Sequence, residues 1–349
     1  MSWSLVKLND ICRPRQWKTI ASSHLSEDGY PVYGANGKIG FYSEYTHEFP
    51  TLMITCRGAT CGNVHISEPK SYINGNAMAL DELDCQRADL KYLYYFFLSR
   101  GFEDVISGSA QPQITGQGLT KVEIPLPPLA EQKRIAAILD KADAIRHKRQ
   151  QAIQLADDFL RTVFLDMFGD PNSNPKNADV LPMTEVFDIR TGKLNSNAAI
   201  EGGKYPFFTC AKEVFAIDEY AFDQEALLLA GNNAQADYDV KHYKGKFNAY
   251  QRTYVLTLRG STWSYPFYKF ALQYQLSNLK YASKGSSTKY ITMEIMGRTM
   301  LPVPSQENQK RFVEYFERVV NVQAALLVQA QNDENLFSAL SNRAFSGQL

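Results

Sequence analysis

The stretch Gly108-Ser109-Ala110-Gln111-Pro112-Gln113-Ile114 returns, altered, as Gly285-Ser286-Ser287-Thr288-Lys289-Tyr290-Ile291. The two copies are 177 residues apart, and nearly the same offset aligns Tyr30-Pro31 with Tyr205-Pro206. A series of matches in one register indicates a tandem duplication rather than chance similarity. Further matches at the offset of 177 are Pro125-x-Pro127 with Pro302-x-Pro304, Gln132-Lys133-Arg134 with Gln309-Lys310-Arg311, and Phe168 with Phe345.

Each repeat ends in a segment with a helical hydrophobic pattern. Over 129–170 and 305–349, apolar residues recur in steps of three and four, as on the contact face of a coiled coil. Ser305 is the expected N-cap of the second helix, and Gly169 follows the last periodic residue of the first. Two helices of about 60 Å with the same stripe are expected to pair antiparallel. The predicted contact residues are Ile135, Ile138, Ala142, Ile145, Ala152, Ala156, Phe159 and Val163, then Phe312, Tyr315, Val319, Val322, Leu326, Leu336 and Leu340.

Polar residues interrupt both stripes. Arg149 breaks the first stripe, and Gln329 and Asp333 break the second. Charges of both signs alternate along both segments, whereas a helix that enters a DNA groove would be basic on one face. The pattern therefore predicts a coiled coil rather than a pair of DNA-reading helices.

The segments before the helices have the pattern of β-strands separated by turns. Apolar runs such as 51–55, 226–230 and 253–258 alternate with glycine-containing turns, while 90–98 and 263–276 read as short helices. We therefore predict an α+β protein, a tandem repeat of two α/β domains separated by an antiparallel pair of long coiled-coil helices. The predicted domains are 1–128, 129–170, 171–304 and 305–349.

Composition narrows the classes of function. The chain has 349 residues, with 37 Lys and Arg balancing 37 Asp and Glu, so no overall field draws it to nucleic acid. The longest apolar runs are too short for a membrane helix, and the N-terminus lacks the pattern of a signal peptide. The five cysteines form no Cys-x-x-Cys pair, so we expect no metal site and free thiols in a cytoplasmic protein.

Catalytic motifs are missing from the sequence. No phosphate-binding Gly-x-x-x-x-Gly-Lys-Ser/Thr motif occurs, because the stretch from Gly34 to Lys38 has neither the spacing nor the hydroxyl residue. Asp239-Val240-Lys241, with Asp223 upstream, is only weakly similar to a nuclease motif. We therefore expect a chain that is not itself an enzyme.

Local clusters combine positive charge with side chains that can read base edges. Lys and Arg bind phosphates, whereas Asn, Gln, Arg, Ser and Thr read bases. In the first repeat the candidate DNA-binding residues are Arg13, Arg15, Lys18, Lys38, Arg57, Asn74, Asn76, Gln111 and Gln113. In the second they are Lys193, Asn232, Asn233, Lys241, Lys244, Lys246, Gln251, Arg252, Lys284, Ser286, Ser287, Thr288 and Lys289. Ordinary solvent-exposed hairpins and turns remain the competing interpretation of each cluster.

Three motifs resemble the specificity subunit of type I restriction-modification systems. They are PLPPLAEQKRI at Pro125–Ile135, VFLDMFGDP at Val163–Pro171 and LSNRAFSGQL at Leu340–Leu349. The stretches Tyr30–Gly40 and Gly58–Val64 are similar to that family's first target-recognition domain.

The resemblance implies a phage-defence protein that reads DNA without catalysis of its own. Two target-recognition domains would each read one half of a split DNA sequence, and the helices would dock two methyltransferase subunits, which in turn bind the restriction and translocation subunits. S-adenosylmethionine, ATP and Mg²⁺ would be bound by those partners, so this chain is expected to hold no cofactor. The candidate partner-binding residues are Lys133, Arg134, Arg146, Lys148, Arg149, Lys310 and Arg311.

These features predict that two different readers recognise an asymmetric, bipartite DNA target. The helices would set the distance between the half-sites at roughly one DNA turn, about 34 Å, or a modest multiple. Two alternatives stay open from the sequence. One is a protein scaffold built on the helix pair that does not touch DNA, and the other is a degenerate nuclease or methyltransferase.

Overall fold

The computed structural model describes residues 3–108, 111–233 and 237–349. Its chain divides into two compact units, one formed by Met1–Gln150 with Val328–Leu349 and the other by Gln151–Leu327. Each long helix therefore contributes its first half to one unit and its second half to the other. The domain boundaries predicted from the sequence, which separate helices from globular parts, remain a prediction.

The first repeat comprises nine strands and three helices within the described residues. Its helices are α1 Leu90–Arg100, α2 Gly116–Leu119 and α3 Leu129–Phe168. Its strands are β1 Leu5–Lys7, β2 Arg13–Gln16, β3 Tyr30–Gly34, β4 Gly37–Tyr42, β5 Leu52–Thr55, β6 Val64–Ile66, β7 Tyr72–Ile73, β8 Ala77–Asp81 and β9 Glu123–Pro125.

The second repeat contains ten strands and four helices within the part of the chain that the structure describes. Its strands are β10 Val180–Pro182, β11 Phe187–Thr191, β12 Tyr205–Phe208, β13 Phe215–Ile217, β14 Phe222–Ala230, β15 Asn232–Asn233, β16 Val240–Ala249, β17 Thr253–Leu258, β18 Lys289–Tyr290 and β19 Met300–Pro302. Its helices are α4 Met183–Val186, α5 Tyr265–Ala282, α6 Met293–Arg298 and α7 Gln306–Phe345.

Sheet topology confirms the duplication. The first unit has a sheet in the order β2-β8-β5-β6 and a second in the order β4-β3-β7. The largest sheet of the second unit has the order β11-β17-β14-β16-β12-β13, and two-stranded ribbons β10-β19 and β15-β18 accompany it. Strand β16 corresponds to both β6 and β7. Most of β16 pairs antiparallel with β14, as β6 does with β5, and its end pairs parallel with β12, as β7 does with β3. A single long strand thus joins two sheets that stay separate in the first unit.

The end signals predicted for the long helices are confirmed. The Ser305 hydroxyl accepts a hydrogen bond from Asn308 N at 3.3 Å, as an N-cap does. Helix α3 ends at Phe168, and Gly169 N donates to Leu165 O at 2.8 Å with a φ of 76° at the glycine. Among the described residues, no helix is both long and apolar enough to cross a membrane.

The predicted stripe is correct at Ile135, Ala142 and Phe312, which are buried, and wrong at several other positions. Leu139, Leu160, Phe164 and Phe337 are buried in the cores, although none was assigned to the stripe. Ile145 is 48% exposed, and Val322 and Leu336 are exposed as well. Phe159 and Tyr315 are also exposed, yet their ring centroids lie 6.5 Å apart across the helix pair, as the stripe predicts. The ends of each helix pack into the cores of the globular parts, and this packing buries side chains that lie outside the predicted stripe.

Within each unit, the two helix halves run antiparallel. In the first unit Arg146 pairs with Glu334 at 2.9 Å, and Arg149 pairs with Asp333 at 3.1 Å. In the second unit Gln323 Nε2 donates to Asp157 Oδ1 at 2.8 Å. Aromatic side chains fill the second core, where Phe164 of α3 contacts Phe312 of α7 and Phe267 of α5.

Candidate nucleic-acid interface

Three backbone segments meet at one point of the second unit. Gly231 N donates to Arg252 O at 2.9 Å, and Ile291 N donates to Gly231 O at 2.9 Å. Asn232 pairs with Tyr290 across the β15–β18 ribbon. We call Asn232, Arg252 and Tyr290 the second triplet, because this bonding places all three at the same junction.

The second triplet lines an open cavity of about 450 Å³. Tyr254 lies in its wall, and its hydroxyl donates to Ile291 O at 2.8 Å. Burial raises the pKa of Tyr254, which keeps this hydroxyl protonated as a donor. Thr191, Gln251, Thr292 and Met293 also line the cavity.

The first unit builds the same junction at equivalent positions. Cys56 N donates to Asn76 O, and Ile114 N donates to Cys56 O, each at 3.0 Å. The backbones of Arg57 and Gln113 form an isolated antiparallel β-bridge, and those of Asn232 and Tyr290 pair in the same way. We call Arg57, Asn76 and Gln113 the first triplet. All three residues are exposed.

A buried thiol supports the first junction. The Gln16 amide donates to Cys56 Sγ at 2.9 Å and to Gly75 O at 3.0 Å. Burial raises the pKa of the Cys56 thiol, so it stays uncharged. Cys56 therefore serves the packing of the junction, and the polar side chains around it face solvent.

The loops that the sequence repeat identified border both junctions. Ser107 and Gln113 exchange two backbone hydrogen bonds, and Lys284 and Tyr290 do the same. Gly285 has a φ of 105°, and a Cβ added there would approach Thr288 O to 2.1 Å. Glycine is required because this tight loop leaves no room for a side chain. Ser109 and Ala110 lie outside the described residues.

Most predicted residues of the second loop are accessible. Ser286, Ser287 and Thr288 are exposed, Lys289 is partly exposed, and Lys284 pairs with Glu294 at 2.9 Å. Lys193 is exposed, Gln251 donates to Asn195 Oδ1 at 2.6 Å, and Asn233 pairs with Lys289 in the ribbon.

The prediction of Lys241 as a DNA contact needs correction. Its ammonium group pairs with Asp239 at 2.8 Å and donates to Ala211 O at 2.9 Å, and its side chain is only 17% exposed. These contacts hold the Lys241 side chain against its own unit, so its ammonium group is not available to a phosphate. Lys244 is 79% exposed beside Glu225, and Lys246 is exposed above the Tyr220 ring.

The prediction of Asn74 as a base reader is also wrong, because its side chain is needed by the fold. Asn74 is 3% exposed, its Oδ1 accepts from Ile20 N at 3.0 Å, and its Nδ2 donates to Ile20 O at 3.2 Å. A satisfied, buried amide cannot reach a base edge.

The remaining candidates of the first unit are exposed but do not all belong to the first junction. Lys18 and Gln111 are exposed. Arg13 donates to Cys12 O at 3.0 Å, and Arg15 lies 4.3 Å from the ring centroid of Trp17. Lys38 pairs with Glu68 at 3.4 Å.

Comparison with known proteins identifies the family. The family model described as the type I restriction modification DNA specificity domain matches residues 1–155 and 175–334. The chain belongs to this specificity family. One matched segment falls in each repeat, and each segment contains the residues of one junction.

Relatives of this specificity family match to different extents. The chain is 35% identical over 146 residues to the EcoDI type I restriction enzyme specificity subunit of Escherichia coli, a match covering 42% of this chain and 32% of that protein. It thus spans only about a third of the length of that relative. It is 24% identical over 318 residues to a putative type I specificity subunit of Mycoplasma pneumoniae, covering 86% of this chain and 84% of that protein.

A solved structure of the specificity family shares the fold. The crystal structure of the S subunit of a type I restriction-modification system from M. genitalium matches with a TM-score of 0.70. The match covers 99% of this chain and 96% of the other at 16% identity. The predicted α+β tandem repeat with two long helices is confirmed by this likeness and by the family model.

Two predicted partner-binding residues of this specificity chain face its own helix pair instead. Arg146 and Arg149 are 27% and 26% exposed and pair with Glu334 and Asp333. Arg149 also donates to Gln329, so the polar breaks in the two stripes meet one another. Arg134 pairs with Glu131 and donates to Leu349 O at 2.8 Å. Lys133, Lys148, Lys310 and Arg311 are exposed.

Some members of the junctions were not identified from the sequence. Tyr290 was not selected, although it stands 177 residues after Gln113 and the repeat register could have identified it. Thr191 and Met293 carried no sequence signal, because only the folded chain brings them to the cavity with Arg252.

Proposed function

We propose that this chain is the DNA-specificity subunit of a type I restriction-modification complex, reading a bipartite, asymmetric target. The observation that carries the proposal is the pair of triplets. The same backbone junction presents Arg57, Asn76 and Gln113 in one unit and Asn232, Arg252 and Tyr290 in the other. Two readers with one backbone and different side chains suit two different half-sites.

The chemistry of the triplets suits readout in the major groove. Arginine donates two hydrogen bonds to guanine O6 and N7, and asparagine or glutamine pairs with adenine N6 and N7. The exposed Lys18, Lys193, Lys244 and Lys246 suit phosphate contacts, which fix position rather than sequence. The chain carries no net charge, so we expect weak DNA binding until partner subunits add contacts.

In this proposal the long helices dock two methyltransferase subunits, which in turn bind the restriction and translocation subunits. Exposed apolar side chains on the helices support it, among them Leu155 at 66% and Val328 at 65% exposure. Methyl transfer, cleavage, and the binding of S-adenosylmethionine, ATP and Mg²⁺ belong to those partners. The chain itself is non-catalytic.

The experiment replaces one arginine in each triplet with alanine. Methylated sites are mapped in cells that carry the variant and its methyltransferase. Arg57→Ala should relax the first half-site alone, and Arg252→Ala the second alone, each by about 1–3 kcal/mol of discrimination at one base pair. Arg161→Ala, at an exposed position of α3, is the matched control and should leave the target unchanged.

Two results would contradict the proposal. If both triplet variants keep the original target, or both alter the same half, the triplets are not separate readers. A scaffold without a DNA role would give no sequence-specific methylation in any of these strains.

A further inference from the structure

A groove of about 370 Å³ opens in the first unit between the end of α1 and the helix pair. Ser99 of α1 and Ser341 of α7 lie in its wall, with Arg146, Phe337 and Leu98 around them. Neither triplet takes part in it. The groove therefore has no role in the reading of bases described above.

Ser341 is the unusual member of the groove. It is 2% exposed, and its hydroxyl has no hydrogen-bond partner among the described residues. A buried hydroxyl without a partner destabilises the folded state, so such groups are rare in native proteins and each one needs an explanation.

The second unit shows what fills the equivalent space. The repeat offset of 177 places Phe164 at the position of Ser341, and the offset of 175 that relates α1 to α5 places Tyr274 at that of Ser99. Phe164 and Tyr274 stack with ring centroids 5.4 Å apart at an angle of 14°. Phe164 also stacks on Phe267 and Phe270. Two aromatic rings in one unit are thus replaced by two serines in the other.

We propose that the groove receives a tyrosine side chain from a docked methyltransferase subunit, and that only the first unit has this socket. The inference rests on the proposed function. A phenol ring restores the aromatic packing that the serines lack, and its hydroxyl gives Ser341 Oγ a partner. In the second unit Phe164 and Tyr274 already occupy the equivalent space.

The surroundings favour a protein partner over a free small molecule. The Arg146 guanidinium lies 4.3 Å from the ring centroid of Phe337, and its pair with Glu334 at 2.9 Å holds it at the wall of the groove. Leu98 is 42% exposed and supplies an apolar wall beside Phe337, and Glu334, Ser338 and Asn342 add polar groups to the lining. Aromatic anchors in a pocket with apolar and arginine neighbours are typical of interface hot spots.

The experiment fills the socket with the ring that the second unit uses. Native mass spectrometry and titration measure how many methyltransferase subunits bind wild type, Ser341→Phe and Ala339→Phe. Ala339 is exposed on the same helix, so its variant adds the same ring outside the groove. We expect Ser341→Phe to weaken one of the two sites at least tenfold, and Ala339→Phe to match wild type. Unchanged affinity at both sites in Ser341→Phe overturns the proposal.

A second measurement covers the case in which Ser341→Phe does not fold. Saturation-transfer NMR on the wild-type chain uses p-cresol, which is the tyrosine side chain as a free molecule. Binding of p-cresol that the methyltransferase displaces, and that Ser341→Ala weakens, supports the socket; absence of binding overturns it. If wild type binds no methyltransferase at all, the proposed function fails. If all variants bind normally, only the socket fails.

Discussion

A single buried amide joins each globular part to its long helix. Gln132 Oε1 accepts from Asp89 N at 2.8 Å, and its Nε2 donates to Arg87 O and Pro127 O, each at 2.8 Å. Gln309 repeats the arrangement, because its Oε1 accepts from Ser264 N at 3.0 Å and its Nε2 donates to Pro304 O at 3.1 Å. Asp89 and Ser264 are the N-caps of α1 and α5. The repeated Gln-Lys-Arg motif thus owes its glutamine to a structural role.

We expect Gln132→Ala to destabilise the first unit. The substitution leaves one donor and two acceptors of the buried backbone without their partner, which costs about 2 kcal/mol or more in free energy of unfolding. Urea unfolding followed by intrinsic fluorescence measures the loss. Gln150→Ala, at an exposed position of the same helix, should change the stability by less than about 0.5 kcal/mol. Equal effects of the two variants would contradict the structural role of Gln132.

A partly buried histidine makes the stability of the first unit depend on pH. His65 Nε2 is buried without a hydrogen-bond partner among the described residues, and burial lowers the pKa of His65 below its usual 6.5. The unfolded chain therefore binds a proton more readily than the folded chain below that value. The stabilising effect of neutral His65 is complete above about pH 6.5 and is lost as the pH falls.

The test compares unfolding of wild type and His65→Phe from pH 7.5 to 5. We expect the wild type to lose more stability than the variant below pH 6.5, because phenylalanine does not titrate. Parallel pH profiles would show that His65 makes no contribution.

At the scale of elements, the polar residues of the helix pair set its register. Arg149 pairs with Asp333 at 3.1 Å and donates to Gln329 at 2.5 Å, all within the first unit. A polar contact at an otherwise apolar seam favours one alignment, because a shifted helix would leave the charges unpaired.

A double-mutant cycle with Arg149→Ala and Asp333→Ala should give a coupling energy of about 1 kcal/mol. The two side chains are 26% and 17% exposed, so salt should screen this coupling only weakly. The Arg100–Asp104 pair, whose carboxylate is 63% exposed, is the control and should couple by less than about 0.5 kcal/mol. A coupling no larger than that of the control would remove the register role.

At the scale of the whole molecule, the proposed function makes the helices a ruler for the spacer between half-sites. Inserting four residues into both helices adds about one turn, or about 6 Å, to each. We expect the methylated target to keep both half-sites while its unread spacer lengthens by about two base pairs. Methylome sequencing measures this spacer directly. An unchanged spacer in an active variant would contradict the ruler.

Much of the architecture follows from local signals in the sequence. The duplication, the two long helices and their ends at Ser305 and Gly169 are all confirmed. The sequence predicts these features because the choice of glycine, proline or a capping residue depends on the backbone geometry within a few residues. The loop glycines Gly108 and Gly285 mark both junctions for the same reason.

Only the tertiary structure decided which polar side chains are accessible to DNA or to a partner subunit. Asn74 and Lys241 looked like DNA contacts, yet both bind backbone carbonyls of their own unit. The sequence predicts that Arg149 binds a partner subunit, yet Arg149 pairs with Asp333 of the same chain, 184 positions away. Tyr290 joins Arg252 at a junction that no short motif encodes. The exposure of a polar side chain depends on groups distant in sequence, so local pattern predicts the backbone better than the site.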